Sequence, residues 1–139
     1  MSHVVVDASV ALAWAFPDES SDYAEKVLLA LDGQTILVPA LWPIEITNAL
    51  LVAERRKRIR PPEIRRFAGL LADLTVVMDS QSVTDAVANI LPLAREYSLS
   101  AYDATYLDAA IRHGAALATL DVTLQRAARK AGIEILTGA

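Results

Sequence analysis

A chain of 139 residues fits a single domain spanning residues 1–139; with no cysteine and two distant histidines, His3 and His113, it has no disulfide, thiolate zinc site or cysteine nucleophile. Any metal it binds must therefore be held by oxygen. The hydrophobic fraction of 54% and mean hydropathy of +0.34 suit a partner-facing surface as well as a core, while the formal net charge of −4 argues against a polyanionic substrate unless charge is segregated along the chain.

Residues 3–6 read as a strand and 8–15 as a short helix broken by Pro17. Asp18, Glu19, Ser20 and Ser21 supply caps for a helix through Leu31, ended by Gly33. A β-branched strand at 35–38 stops at Pro39, and a long helix from 41 to 57 tolerates Pro43 in its first turn. Pro61-Pro62 opens a helix to 73, followed by a strand at 74–78. The helix expected at 80–97 carries Pro92, which predicts a kink or break. A helix from 100 to 113 closes at Gly114, a fourth strand covers 115–119, a last helix 121–131, and a closing strand 133–136. Strands alternating with helices predict an α/β fold, with a mostly parallel five-stranded sheet covered on both faces.

Asp7 ends the first strand, so it belongs at the carboxyl rim of the sheet, where open α/β folds place ligands. Glu45, Asp103 and Asp121 begin other helices. Each acid has an ordinary alternative as a helix cap or first-turn charge: Asp7 and Asp121 as N-caps, Glu45 as a first-turn acid, Asp103 as partner of Ser100 in a Ser-x-x-Asp box. Against that, Glu45 and Asn48 share one helical face, and Asp7, Glu45 and Asp121 all follow strands whose ends meet at one rim. Thr119 is a hydroxyl neighbour of Asp121. Asp108 lies about 140° round the helix from Asp103 and is expected to be a solvated surface acid.

Asp7 with Ala8-Ser9 after a strand, Glu45-x-x-Asn48 on a helix, Tyr102-Asp103-Ala104 opening a helix, and Ala118-Thr119-Leu120-Asp121 ending a strand together resemble the PIN domain. The likeness is greatest to the VapC-type ribonuclease toxins of prokaryotic toxin–antitoxin pairs, and it covers essentially the whole chain in element and motif order. The resemblance implies a three-layer α/β/α sandwich, a homodimer, and an acidic pocket of Asp7, Glu45, Asp103 and Asp121 supported by Asn48 and Thr119. It further implies an endoribonuclease dependent on Mg²⁺ or Mn²⁺, acting on RNA and held by a cognate antitoxin protein. Carboxylates and water are suitable ligands for such ions, which polarise a phosphodiester and lower the pKa of bound water.

Arg55, Arg56, Lys57, Arg58, Arg60, Arg65 and Arg66 are seven of the 13 basic residues. They read either as a solvated helix end or as an RNA-tracking flank beside the acids, with Arg55, Arg56, Lys57 and Arg58 the nearest candidates. Trp14, Phe16 and Trp42 read either as core or as base-stacking groups. No stretch reaches the ~18 apolar residues of a membrane span and no basic leader precedes the first strand, so a cytoplasmic protein is expected. The rival functional reading is a non-catalytic PIN-like module that binds RNA or a protein. A phospho-accepting receiver domain fits less well, because Asp7 stands alone after the first strand and no lysine lies beyond Lys130.

Overall fold

A computed structural model describes residues 3–16 and 21–137. Pro17, expected to break the first helix, and Asp18, Glu19 and Ser20, expected caps of the second, lie outside the described residues. Ser21 accepts the Ala24 N–H at 3.0 Å and caps that helix.

The elements in chain order are β1 (His3–Val6), α1 (Ala8–Ala15), α2 (Asp22–Ala30), β2 (Thr35–Pro39), α3 (Trp42–Arg55), α4 (Pro61–Asp73), β3 (Val76–Asp79), α5 (Val83–Tyr97), α6 (Ala101–His113), β4 (Ala116–Ala118) and α7 (Val122–Lys130). The strands pair in parallel in the order β3-β2-β1-β4, with His3 opposite Thr35, Val5 opposite Leu117 and Pro39 opposite Asp79. All of β2 and the apolar part of β1 are buried, as expected of parallel strands covered on both faces. α6 lies against β1, β2 and β4 and is flanked by α5 and α7, while α1 packs among α2, α3 and α4. From β1 the chain moves to β2 on one side, then returns from β3 to place β4 on the other side. The order therefore reverses between β1 and β4, which makes that rim the sheet's switch point.

Among the described residues four strands form, not the expected five. The segment at 133–136 makes a single bridge, Ile135 to Leu117, through Leu117 N–H to the Glu134 carbonyl and Leu136 N–H to the Leu117 carbonyl, each 2.9 Å. β4 is only three residues long, and the Leu136 carbonyl is claimed by the Tyr23 hydroxyl at 2.7 Å, so the ladder has nothing to extend on. Pro92 does not break α5, which is assigned as one helix from Val83 to Tyr97. Pro92 and Ala88, whose carbonyl loses its intrahelical donor, are both exposed, and water can satisfy the freed group.

Asp108 is buried rather than solvated. Its position on α6 is indeed turned away from Asp103, but α6 is a central helix with Ala104, Tyr106, Leu107, Ala109 and Ala110 buried around it. Asp108 is met there by Arg112 Nε at 3.0 Å and Gln81 Nε2 at 3.1 Å. Arg112 also grips Asp79 through both terminal nitrogens, and His113 Nε2 lies 2.8 Å from the same carboxylate. One guanidinium thus ties the end of the edge strand β3 to α6. Burial acts to raise the Asp79 carboxyl, but the hydrogen bonds and charge of Arg112 and His113 outweigh it and hold the group below the usual carboxylate range. A depressed folded value adds stability above the unfolded value near pH 4, and that stability is lost as pH falls through the folded value. Arg112→Ala strands two buried carboxylates and is expected to cost about 3 kcal/mol in denaturant unfolding at pH 7. The loss should shrink as pH falls through the depressed folded value of Asp79, where the parent loses that ion pair as well.

Candidate functional site

Asp7 occupies the N-cap position of α1 but makes no side-chain cap bond. Instead Thr119 Oγ1 donates to its Oδ2 at 2.6 Å and Ser9 Oγ donates to the same oxygen at 2.9 Å. Thr119 is fully buried and Asp7 nearly so. Both hydroxyls are themselves fixed: Ser9 Oγ accepts the Leu120 N–H at 3.2 Å, Thr119 Oγ1 accepts the Asp121 N–H at 3.0 Å, and Gln125 Nε2 holds the Thr119 carbonyl at 2.8 Å. The parallel pairing of β1 and β4 sets this up, since Val6 opposite Ala118 puts the next residues of both strands side by side. A carboxylate with one oxygen doubly bound and Oδ1 left by both hydroxyls is oriented as well as buried.

Asp121 keeps the capping role anticipated for it: its Oδ1 accepts the N–H groups of Thr123 at 2.8 Å and Leu124 at 3.2 Å, leaving Oδ2 outside the cap. The Ser100 hydroxyl caps α6 by accepting the Asp103 N–H at 3.1 Å, and that bond uses the backbone of Asp103 rather than its carboxylate. Glu45, in the first turn of α3, is not merely a first-turn charge. Tyr106 Oη donates to its Oε1 at 2.5 Å. Tyr106 is fully buried and three residues past Asp103, so both lie on one face of α6. That spacing was readable in the sequence, and Tyr106 is the residue that sequence reasoning passed over.

Three of these acids are raised by burial and by the charge of their neighbours. Burial raises the Asp7 carboxyl, and Asp121 adds to the rise. Burial also raises Glu45, helped by Asp7 and Asp103, and raises Asp103, helped by Asp121 and Asp7. Tyr106 is pushed far up by burial, by its bond to Glu45 and by the charge of Asp7, so it stays a hydroxyl donor. Among the described residues no three His, Asp or Glu side chains stand close enough to enclose an ion as they are. The donor set nevertheless fits a hard cation. It is all oxygen, three of its acids have one oxygen anchored and the other outside those bonds, and Mg²⁺ characteristically keeps several waters and takes only one or two carboxylates directly.

Asn48 lies one turn past Glu45 on α3 and is exposed, while the basic residues stand further off. Arg55 lies ten residues beyond Glu45, roughly 15 Å along the helix axis, and Arg56, Lys57 and Arg58 follow it away from the rim. The chain turns there through Lys57 at φ 59°, with Lys57 N–H on the Glu54 carbonyl and Arg58 N–H on the Ala53 carbonyl, a Schellman closure. The Arg58 guanidinium sits 5.2 Å from the centre of the Phe16 ring. The aromatics take the core reading: Phe16 and Trp42 are buried, and half-buried Trp14 donates from Nε1 to the Ala24 carbonyl at 2.9 Å.

The model of the PIN domain family matches residues 4–130. Over 118 residues the chain is 29% identical to Ribonuclease VapC3 of Pyrobaculum aerophilum, covering 85% of this chain and 88% of that one. The crystal structure of PAE2754 from Pyrobaculum aerophilum superposes with a TM-score of 0.68 at 25% identity, over 91% of this chain and 79% of that one. VapBC2 from Rickettsia felis, solved bound to a DNA fragment from its promoter, gives a TM-score of 0.65 at 12% identity over 96% of this chain and 97% of its own. FitAcB from Neisseria gonorrhoeae gives 0.60 at 16% identity, over 97% of each chain. With a family match running from the first strand to the end of the last helix, and an acidic rim at the sheet's switch point, this chain belongs to the PIN domain family.

Proposed function

We propose that the protein is a divalent-metal-dependent endoribonuclease, the toxin of a type II toxin–antitoxin pair, with Asp7, Glu45, Asp103 and Asp121 as its metal-binding and catalytic acids. The observation that carries this reading is the fixing of Asp7, Glu45 and Asp121 by hydrogen bonds that anchor one carboxylate oxygen of each and leave the other outside those bonds. The name of the Pyrobaculum relative, a ribonuclease, supports it. Bound Mg²⁺ or Mn²⁺ would supply Lewis-acid polarisation of the phosphodiester and a water acidified enough to attack at neutral pH. The chain's own contribution is orientation. Ser9 and Thr119 fix Asp7, the α7 cap fixes Asp121, and Tyr106 fixes Glu45, so that each acid offers an oxygen without searching rotamers. Asn48 and Thr119 are supporting residues in this reading, and Arg55, Arg56, Lys57 and Arg58 serve RNA only well away from the acids.

Apolar surface supports a cognate antitoxin and a second copy of the chain as partners. α5 buries no side chain completely and exposes Val83, Val87 and Leu91 four residues apart, and the edge strand β3 exposes Val77 and Met78. Among the described residues no helix is long and apolar enough to cross a membrane, in keeping with a site of action in the cytoplasm.

Purified protein is expected to cleave RNA in Mg²⁺ or Mn²⁺ and to stop in excess EDTA. Asp7→Asn should reduce the rate by more than about a hundredfold with the fold intact. Cleavage that survives EDTA, or full activity in Asp7→Asn, would return the acids to capping roles and favour a binding module. Tyr106→Phe leaves the ring but frees Glu45, and a loss of roughly ten- to a hundredfold in Mn²⁺ affinity, read by calorimetry, is the expected result.

The raised carboxyls also bear on stability without metal. A carboxyl raised in the folded state penalises the fold as pH climbs through the raised value, and the penalty persists above it. Asp7→Asn combined with Asp103→Asn should therefore melt higher than the parent at pH 7.5 in EDTA, with the gap closing toward about pH 3.5, near the unfolded values. Mn²⁺ at a hundredfold excess over its Kd should stabilise the parent by about 2.7 kcal/mol and barely move the double variant. Melts of both proteins with and without Mn²⁺ check both statements.

A further inference from the structure

Beside the acidic rim lies a groove whose charge has the opposite sign. A cavity of about 480 Å³ is lined by Glu96, Tyr97 and Ser98 from the end of α5 and by Thr123, Arg126 and Lys130 of α7. Both walls run directly into elements that carry acids. The Thr123 N–H is held by Asp121 Oδ1 at 2.8 Å, and Ser98 comes two residues before Ser100, whose hydroxyl holds the Asp103 N–H at 3.1 Å. Burial first, and then the charge of Asp121, raises the Asp103 carboxyl, so these two acids stand within electrostatic reach of each other. The groove therefore leaves the pocket on its Asp103 and Asp121 side. α7 itself carries no acid, and Arg126 and Lys130, one turn apart on it, are both exposed. Neither side chain has an ion-pair or hydrogen-bond partner among the described residues, Glu96 included. The helix dipole accounts for cations in the last turn, where Arg129 and Lys130 stand. It does not account for Arg126 in mid-helix.

We infer that this groove seats the sugar–phosphate backbone of RNA where the strand leaves the acidic pocket, with Arg126 and Lys130 as its phosphate contacts. The inference rests on the ribonuclease reading and assigns the same substrate a second region of contact. The choice of occupant follows from charge and lining. Two cations against one acid make the groove positive in a chain of net charge −4, and the hydroxyls of Ser98 and Thr123 are donors of the kind that phosphate oxygens accept. The reacting phosphate then meets a metal ion among the acids, and its neighbours along the strand meet protein cations. Spacing agrees. Arg126 is five residues past Asp121 and Lys130 nine, about 7.5 and 13.5 Å along α7. At about 3.4 Å per nucleotide of stacked strand, these positions fall roughly two and four nucleotides from Asp121. The tract from Arg55 onward begins no nearer than the far end of α3 and cannot serve those phosphates. A strand must therefore extend several nucleotides to one side of the cleaved bond before the groove adds affinity.

The test uses the full chain and a ladder of oligoribonucleotides of increasing length in Mg²⁺ or Mn²⁺. The parent's kcat/KM should climb as the strand passes about four nucleotides beyond the cleaved bond. In Arg126→Gln with Lys130→Gln that climb should be lost, a drop of roughly tenfold on the longest strand that is carried by KM while kcat is kept. In an Asp7→Asn background, which prevents cleavage, the same pair of substitutions should flatten the slope of log K on log salt by roughly 0.7 for each phosphate contact removed, read by fluorescence anisotropy in EDTA. Arg126→Lys with Lys130→Arg keeps both charges and should keep the parent's KM and slope. An unchanged slope, a parent whose kcat/KM is flat with length, or an equal loss in the charge-keeping variant each overturns the groove while leaving the ribonuclease reading standing. A glutamine variant that handles RNA like the parent but no longer binds its antitoxin overturns it too, in favour of a protein-docking surface. A parent that neither binds nor cuts RNA under any of these conditions brings down the ribonuclease reading and the groove together.

Discussion

Everything at the acidic rim hangs on one buried carboxylate. Asp7 lies where β1 and β4 run side by side, and its Oδ2 is bonded by Thr119 from one strand end and Ser9 from the helix that follows the other. A lone charge at that depth is costly, and the two hydroxyls make it tolerable without neutralising it. The bonds run outward from there. Thr119 holds the Asp121 N–H, Ser9 holds the Leu120 N–H, and Gln125 of α7 holds the Thr119 carbonyl, so the β4–α7 turn is built onto Asp7. The same contacts that orient Asp7 therefore place Asp121 within its electrostatic reach.

The same economy recurs at Glu45. A buried tyrosine needs a partner for its hydroxyl, and a half-buried acid needs a donor; Tyr106 and Glu45 satisfy each other and link α6 to α3 across the sheet's rim. Three acids thus sit in fixed positions, each with one oxygen anchored, while burial first and the charge of neighbouring acids second raise the Asp7, Glu45 and Asp103 carboxyls. Such a cluster is stored unfavourable electrostatics that a cation relieves, which is the usual relation between pKa perturbation and function. Away from the rim the fold handles charge oppositely. Arg112 gathers Asp79 and Asp108 into a closed ion-pair network that fastens the edge strand and offers nothing to a ligand.

How much of this was readable from residues alone depended on whether the signal was local. The strand-then-acid pattern at Asp7 and the Ala118-Thr119-Leu120-Asp121 run are local, and both acids reach the predicted rim. Helix caps at Ser21, Ser100 and Asp121 formed as their positions imply. What failed was decided by neighbours distant in sequence. The face of α6 that carries Asp108 points away from Asp103, which predicts a solvated acid, yet Gln81 and Arg112 close over the carboxylate. The fifth strand failed because Tyr23, more than a hundred residues earlier, takes the Leu136 carbonyl. Pro92 survives in a helix because its lost bond faces water, which periodicity does not report. The basic tract looked close to the acids because Glu45 and Arg55 share a helix, but a helix separates its ends as firmly as it joins them.

That separation gives the surface its logic. A chain with an acidic pocket and a net negative charge would be a poor RNA binder if affinity came only from phosphates, since the field at the pocket has the wrong sign until a cation arrives. In the proposed function a bound cation reverses that sign, and the arginines at the far end of α3 stay clear of the pocket. The high apolar fraction of the chain is divided between the core and the open faces of α5 and β3, which leave Val83, Val87, Leu91, Val77 and Met78 exposed, so the apolar surplus and the acidic rim fall to different surfaces of the fold.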